Sequence, residues 1–152
     1  MSDAATTLEL GIVGNGSISA LIDGNARVVW CCVPSFNGDP VFCSLLSPTL
    51  GDRGYFDVVL EGFSSSTQRY IENTAVLVTR LAADDGSAIE ITDVAPRFKQ
   101  HGRIFHPMSI VRTIRPVAGA PRVTLRICPA ALDFHRSSAS LRVAQKRRSP
   151  RS

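Results

Sequence analysis

The chain has 152 residues, enough for one domain whose core buries roughly two thirds of the surface an unfolded chain exposes. Hydrophobic residues make up 44% and charged residues 20%, with seven Phe, two Tyr and one Trp, which argues against disorder from end to end. The formal charge of +4 belongs to the last stretch: through Phe134 there are eleven basic and thirteen acidic residues, while His135 to Ser152 carries six basic residues and no acid. The body is slightly acidic, so the basic total is poor evidence for a nucleic-acid-binding fold.

Met1 to Thr7 is polar and includes Asp3, without the basic-then-apolar pattern of a signal peptide. No run of 18 apolar residues could cross a bilayer, and cytoplasmic residence is the expectation. Gly11 to Gly16 (GIVGNG) reads as a turn whose glycines take positive φ. Ser17 to Asp23, the turn formers Asp23-Gly24-Asn25, and Ala26 to Cys32 predict a hairpin. After Asp39-Pro40, Val41 to Leu46 is expected to form one or two helical turns, with Pro in the first. Tyr55 to Leu60 places Phe56, Val58 and Leu60 on one side of a strand, and Ser64 to Ser66 read as a turn.

Ala75 to Leu81 is rich in β-branched residues, Asp84 to Ser87 turns the chain, and Ile89 and Ile91 then alternate with Glu90 and Thr92. Ser109 to Arg115 forms a strand that Pro116 closes. Val123 to Ile127 alternates most cleanly, with Val123, Leu125 and Ile127 on one face. Nine Pro and eleven Gly leave little room for crossover helices. The fold class is therefore all-β, an antiparallel sandwich, with a small barrel as the alternative. Past Phe134, Leu141 and Val143 alternate with Arg142 as if starting another strand. Gln145 to Ser152 has no apolar residue and is expected to be disordered. The division expected is a domain over residues 8–136 and a disordered basic tail over 137–152.

Cys31, Cys32, Cys43 and Cys128 include no CxxC pair, and adjacent Cys31 and Cys32 point to opposite faces of a strand. Buried thiols in a reducing compartment are expected. His101 and His106 are expected in a Gly/Arg-bearing loop between strands; with His135 they have no metal-ligand spacing to nearby Asp, Glu or Cys, and neither a metal nor another cofactor is expected. GIVGNG does not give GxGxxG, no GK[ST] follows, and no GxSxG elbow exists.

Sugar hydrolysis needs two carboxylates held roughly 5 to 9.5 Å apart in one pocket. Here Asp23, Asp52, Asp84 and Asp85 lie in turns as caps and Glu90 points outward. Asp39 and Asp93 are better placed for a specific role, although each also suits a structural one. Asn15 is positioned to present its amide at the surface. The segment most like a recognition surface is Trp30 to Pro40, where Trp30 and Phe36 flank a Pro-bearing loop with Asn37 and Asp39. Core packing for Trp30, a domain interface, and sugar contact all fit it. Lys146, Arg147, Arg148 and Arg151 lack an interleaved aromatic, so the tail predicts no specific nucleic-acid partner.

These residues also carry a family resemblance. Leu8–Gly16 (LELGIVGNG), Ala20–Asp23 (ALID), Val28–Phe36 (VVWCCVPSF), Asp39–Leu46 (DPVFCSLL), Gln68–Leu77 (QRYIENTAVL), Ile91–Phe98 (ITDVAPRF) and Ile110–Gly119 (IVRTIRPVAG) follow one another as in bacterial glucoamylase/trehalase-like glycoside hydrolases, glycoside hydrolase family 15. The chain resembles their N-terminal domain over residues 8 to 136. The resemblance implies a β-sandwich that precedes a large (α/α)-barrel, whose paired glutamates hydrolyse an α-glucosidic bond with inversion. No such catalytic position falls within these residues, so the chain alone is expected to be inactive.

Two departures stand out. The loop Pro34 to Asn37 lacks the family's usual Arg and Asp, and Pro129 to Arg136 decays from the usual Pro-Arg-Phe-Asp-Tyr-Gly-Arg. The expectation is a truncated or frameshifted member with an incomplete sandwich, open to self-association through exposed surface, its partner being the absent barrel. The alternative is a standalone carbohydrate-binding or protein-interaction sandwich that takes an α-glucoside. Nothing in the sequence separates glucoamylase from trehalase specificity.

Overall fold

The structure, a computed structural model, describes residues 9–46 and 53–130 together with the backbone of residues 137–142. It forms β1 (Gly11–Gly14), β2 (Ser19–Ile22), β3 (Val28–Cys32), β4 (Pro40–Phe42), a 3-10 turn (Ser44–Leu46), β5 (Tyr55–Leu60), β6 (Phe63–Tyr70) and β7 (Leu77–Ala83). There follow β8 (Ala88–Val94), β9 (Phe98–Gln100), β10 (Arg103–Phe105), β11 (Val111–Ala118), β12 (Arg122–Cys128) and β13 (Ser137–Arg142). All pairings among them are antiparallel.

The larger sheet runs β1-β2-β3-β5-β12-β13, with β4 beside β3. The smaller runs β11-β8-β7-β6, and β9 pairs only with β10. Neither main sheet returns to its first strand, so the architecture is the sandwich and not the barrel. Period-two alternation decides which faces meet. Val58, Leu60 and Val123 of the larger sheet pack on Leu81, Ala83, Ile89 and Ile91 of the smaller one. A second cluster gathers Val13, Ala20, Ile22, Val28 and Cys31 around Leu77. Fully burying one such aliphatic side chain contributes about 1.5–3 kcal/mol.

Several expected elements form as read. The 23–25 turn joins β2 to β3, with Asp23 Oδ1 accepting the N–H groups of Asn25 and Arg27, each at 2.9 Å. The 84–87 turn joins β7 to β8, and Asp85 Oδ1 accepts Ser87 N–H at 2.8 Å. The Ser87 hydrogen bonds hold the Asp85 pKa below its ordinary value.

Other expectations are corrected. Gly11 to Gly14 is strand β1, and only Gly16 of the GIVGNG run has positive φ, at 93°. Glycine serves β1 by closeness instead: a Cβ on Gly11 would lie 2.5 Å from Leu77 Cδ2. Val41 and Phe42 join β4 because the neighbouring edge of β3 is free to pair, which leaves only one 3-10 turn at Ser44–Leu46. Ser64 to Ser66 lie in β6, where pairing with β7 overrides their turn preference, and Ser64 Oγ donates to Ala82 O at 3.1 Å. Pro116 stands inside β11. It is tolerated because β11 is an edge strand and a bulge lies between Pro116 and Ala118. Residues 98–105 form a hairpin whose turn residues His101 (φ 49°) and Gly102 (φ 75°) both take the left-handed conformation of a type I′ turn. Ser137–Arg142 forms β13 on β12, and residues 143–152, including the stretch read as disordered, lie outside the described residues.

Both exposed edges on one side of the sandwich are tied together. Tyr70 Oη on β6 accepts the N–H of Ile12 at 2.7 Å and donates to its carbonyl at 3.0 Å, covering the edge of β1. Gln68 Nε2 donates to Asp23 O at 2.9 Å and to Thr79 Oγ1 at 3.0 Å. Ile89 lies with no exposed surface at the centre of the first cluster. Ile89→Ala is expected to lower stability by about 2–5 kcal/mol in urea unfolding, and a loss under about 1 kcal/mol would contradict this core assignment.

Candidate functional site

The residues singled out from sequence separate into two groups. The first is the loop after β3. Trp30 pairs with Leu21 on the face of the larger sheet turned from the core, and it is half-buried. A register slip between Leu21 and Ile22 lets Val28 and Cys31 both face inward. The loop passes a cis Val33–Pro34 bond. Its shape is held by Val33 N–H on Asp39 O, by Gly38 N–H on Ser35 O, and by Ser35 Oγ donating to Asn37 Oδ1 at 2.8 Å. Phe36, Asn37 and Asp39 are exposed, Phe36 by 55%.

The second group lies at the far end of β8. Asn15 is buried, and its amide is fully engaged. Nδ2 donates to Pro96 O at 3.0 Å and Pro107 O at 2.8 Å, while Oδ1 accepts from Ser17 N–H and Ile18 N–H. It acts as a rivet between the β1–β2 turn and the two feet of the β9–β10 hairpin. Asp93 continues the inward row of Ile89 and Ile91 and has no exposed surface.

A residue that sequence reasoning passed over answers Asp93. Arg112 stands directly opposite it on β11 and binds it in a fork, Nε to Oδ1 at 2.6 Å and Nη2 to Oδ2 at 3.0 Å. The Arg112 side chain is 5% exposed, and its guanidinium carbon lies 4.7 Å from the centre of the Phe56 ring, which belongs to the opposite sheet. Its buried Nη1 has no hydrogen-bond partner. A charged pair in a low-dielectric interior is held only by such geometry, and removing one member strands the other.

Two further carboxylates on strands also pair with arginines, but nearer the surface, the Arg126 and Arg115 side chains being 48 and 68% exposed. Asp57 of β5 is buried on the outer side of the larger sheet and binds Arg126 of β12, directly opposite, at 2.9 and 2.6 Å. The Asp57 hydrogen bonds raise the Arg126 pKa above its ordinary value. Arg27 lies over the Tyr55 ring beside them, 4.1 Å from its centre. Glu90 of β8 pairs across the sheet with Arg115 of β11 at 2.5 Å. The signal in each case is an acid in one strand and an Arg in its neighbour, which becomes legible only once the register is known.

Of the surface depressions, one of about 460 Å³ between β1 and β6 is lined by Gly11, Ser66, Gln68 and Tyr70, with Glu9 as its single carboxylate. Another of about 230 Å³ holds Asp23 and Asp57, the first capping its turn and the second bound to Arg126. Among the described residues no three His, Cys, Asp or Glu side chains gather as metal ligands. Cys31, Cys32 and Cys43 are free thiols, and burial, aided by neighbouring Cys32, pushes the Cys31 pKa up to about 11.

Two outcomes follow from this geometry. Asp93→Leu and Arg112→Met singly should each cost about 3–5 kcal/mol, and the double change to apolar partners should recover much of the loss in a double-mutant cycle. Strict additivity would show that the two side chains do not act as a pair. Cys31 is protonated in the folded state up to about pH 11, whereas an unfolded thiol ionises near 8.5. Its contribution to stability is therefore complete below about pH 8.5 and fades as pH rises towards 11. At pH 8 the folded chain should alkylate at Cys31 far more slowly than the urea-unfolded chain, and equal rates would contradict the burial.

Comparison with known proteins places the sequence in a family. The chain is 34% identical to a trehalase of Thermoplasma volcanium over 103 residues, which is 64% of this chain and 15% of that protein. It is 37% identical to trehalase 1 of Sulfolobus acidocaldarius over 87 residues, 57% of this chain and 15% of the relative. It is 29% identical to a trehalase of Thermoplasma acidophilum over 116 residues, 72% and 19% respectively. No solved structure matches significantly. The chain thus spans under a fifth of the length of these relatives. The family pattern described as "Trehalase-like, N-terminal" matches residues 1–148, and the chain belongs to this family of N-terminal trehalase-like domains.

Proposed function

We propose that this chain is a noncatalytic sandwich domain of an inverting α-glucoside hydrolase of glucoamylase/trehalase type, and that its role is to support a C-terminal catalytic (α/α)-barrel. The observation that carries this is the use of its carboxylates. Asp57, Glu90 and Asp93, the three acids on strands β5 and β8, each pair with an arginine directly across the sheet. A general acid and a general base must instead face a shared pocket with their oxygens available to a proton and a water. The acids here hold strands together. The buried free thiols Cys31 and Cys32 suit a reducing, cytoplasmic setting. Among the described residues no helix is long and apolar enough to cross a membrane.

A second reading rests on the β3–β4 loop, where exposed Phe36, Asn37 and Asp39 follow half-buried Trp30. An aromatic face beside an amide and a carboxylate is suited to a pyranose, and the loop would then make the chain a carbohydrate-binding module for an α-glucoside.

The test replaces the matched segment of the Thermoplasma volcanium trehalase by this chain. Trehalose hydrolysis should be restored relative to the enzyme lacking that segment, while the chain alone releases no glucose from trehalose, maltose or maltodextrin. A graft no better than the deletion would sink the supporting role, and glucose release by the chain alone would show it to be an enzyme. Trp30 fluorescence should not respond to the same sugars. A saturable response lost in Trp30→Ala, with the fold intact, would favour the binding module.

A further inference from the structure

The β9–β10 hairpin belongs to neither main sheet and projects a compact apolar surface. Phe98 and Phe105 pair directly across it with rings stacked 5.6 Å apart. Phe98, Ile104, Phe105 and Met108 are 48, 56, 40 and 61% exposed. A shallow depression of about 330 Å³ runs along Phe98, Ile104, Phe105 and Pro107. Strands of three residues are too short to hold a free hairpin, yet this one is fastened at both feet. Asn15 grips Pro96 O and Pro107 O, Arg97 Nη1 donates to Asn15 O at 3.3 Å, and Ser17 Oγ shares a hydrogen bond with His106 Nδ1. The feet of the hairpin are thus fixed to the β1–β2 turn while apolar side chains of its strands stand exposed, an arrangement that favours burial against a partner.

Its charge narrows the partner. Arg97, Lys99 and Arg103 stand exposed among the apolar residues, and no acidic residue lies between Asp93 and Asp133. A rim of one sign complements carboxylates and disfavours another basic surface, including a second copy of the same hairpin. The longer relatives carry more than four fifths of their length outside the segment matched here. We infer that the β9–β10 hairpin is the docking element of this domain, and that its occupant is an apolar patch ringed by carboxylates on the domain that follows the sandwich in the longer relatives. This rests on the supporting role proposed above and names the surface that performs it.

The grafted trehalase separates the two claims. With p-benzoylphenylalanine in place of Ile104, irradiation should crosslink the hairpin to peptides of the catalytic portion. The same probe in place of Val59, on the outer face of the larger sheet, should not crosslink. Charge reversal by Lys99→Glu with Arg103→Glu should lower the melting temperature of the graft at low salt and flatten its salt dependence. An active graft that crosslinks from position 59 but not 104, or that ignores the charge reversal, would overturn the hairpin and leave the supporting role standing. An inactive graft would overturn both. A crosslink from position 104 between two copies, or quenching of that crosslink by trehalose or maltodextrin alone, would assign the hairpin to self-association or to sugar and overturn the inference.

Discussion

The register between β8 and β11 is the constraint on which most of this molecule depends. Period-two alternation sends Ile89, Ile91 and Asp93 into the space between the sheets together, so burying the two isoleucines carries a carboxylate inside with them. That charge is tolerable only because the same register sets Arg112 opposite, where a fork of two hydrogen bonds and the face of Phe56 enclose the guanidinium. A slip by one residue would turn the isoleucines to solvent and separate the pair at once. The ion pair is weak evidence for net stability, but it penalises every alternative register.

The edges and ends of the sandwich are handled by single polar side chains. Tyr70 occupies both backbone groups of Ile12 and so closes the outer edge of β1 to further strand pairing. Asn15 satisfies two carbonyls and two N–H groups that would otherwise be stranded near the β8–β9 junction. Because those carbonyls belong to Pro96 and Pro107, the rivet also decides where the β9–β10 hairpin points. A buried amide and the exposed apolar side chains of the hairpin are parts of one construction.

This division of labour suits a domain that positions another. Carboxylates on strands are neutralised in place, the two sheets are locked in register, and apolar side chains are exposed on a hairpin tied at both feet. A catalytic centre asks for the reverse, with polar groups left open to substrate and held slightly apart.

Much of the fold was legible from local pattern. Alternation located β5, β8 and β12, β-branched residues located β7, and the Asp-Gly-Asn and Asp-Asp-Gly-Ser turns placed two hairpins, because those signals depend on neighbours a few residues away. The polar strand β6 and the short strands β1 and β4 were not legible, since each is a strand only by virtue of the partner beside it. Pro116 was misleading for the same reason, as an edge position removes the need for its missing N–H. The sequence by itself determined an all-β antiparallel fold, a scattered set of acids, and a resemblance carried by ordered motifs, while sandwich against barrel was decided by sheets that do not close. Only the tertiary structure decided that Asp93 meets Arg112, that Asp57 meets Arg126, and that Asn15 fixes the hairpin. These are contacts between residues 19, 69 and more than 80 positions apart, and strand register, which no local pattern encodes, is what brings them together.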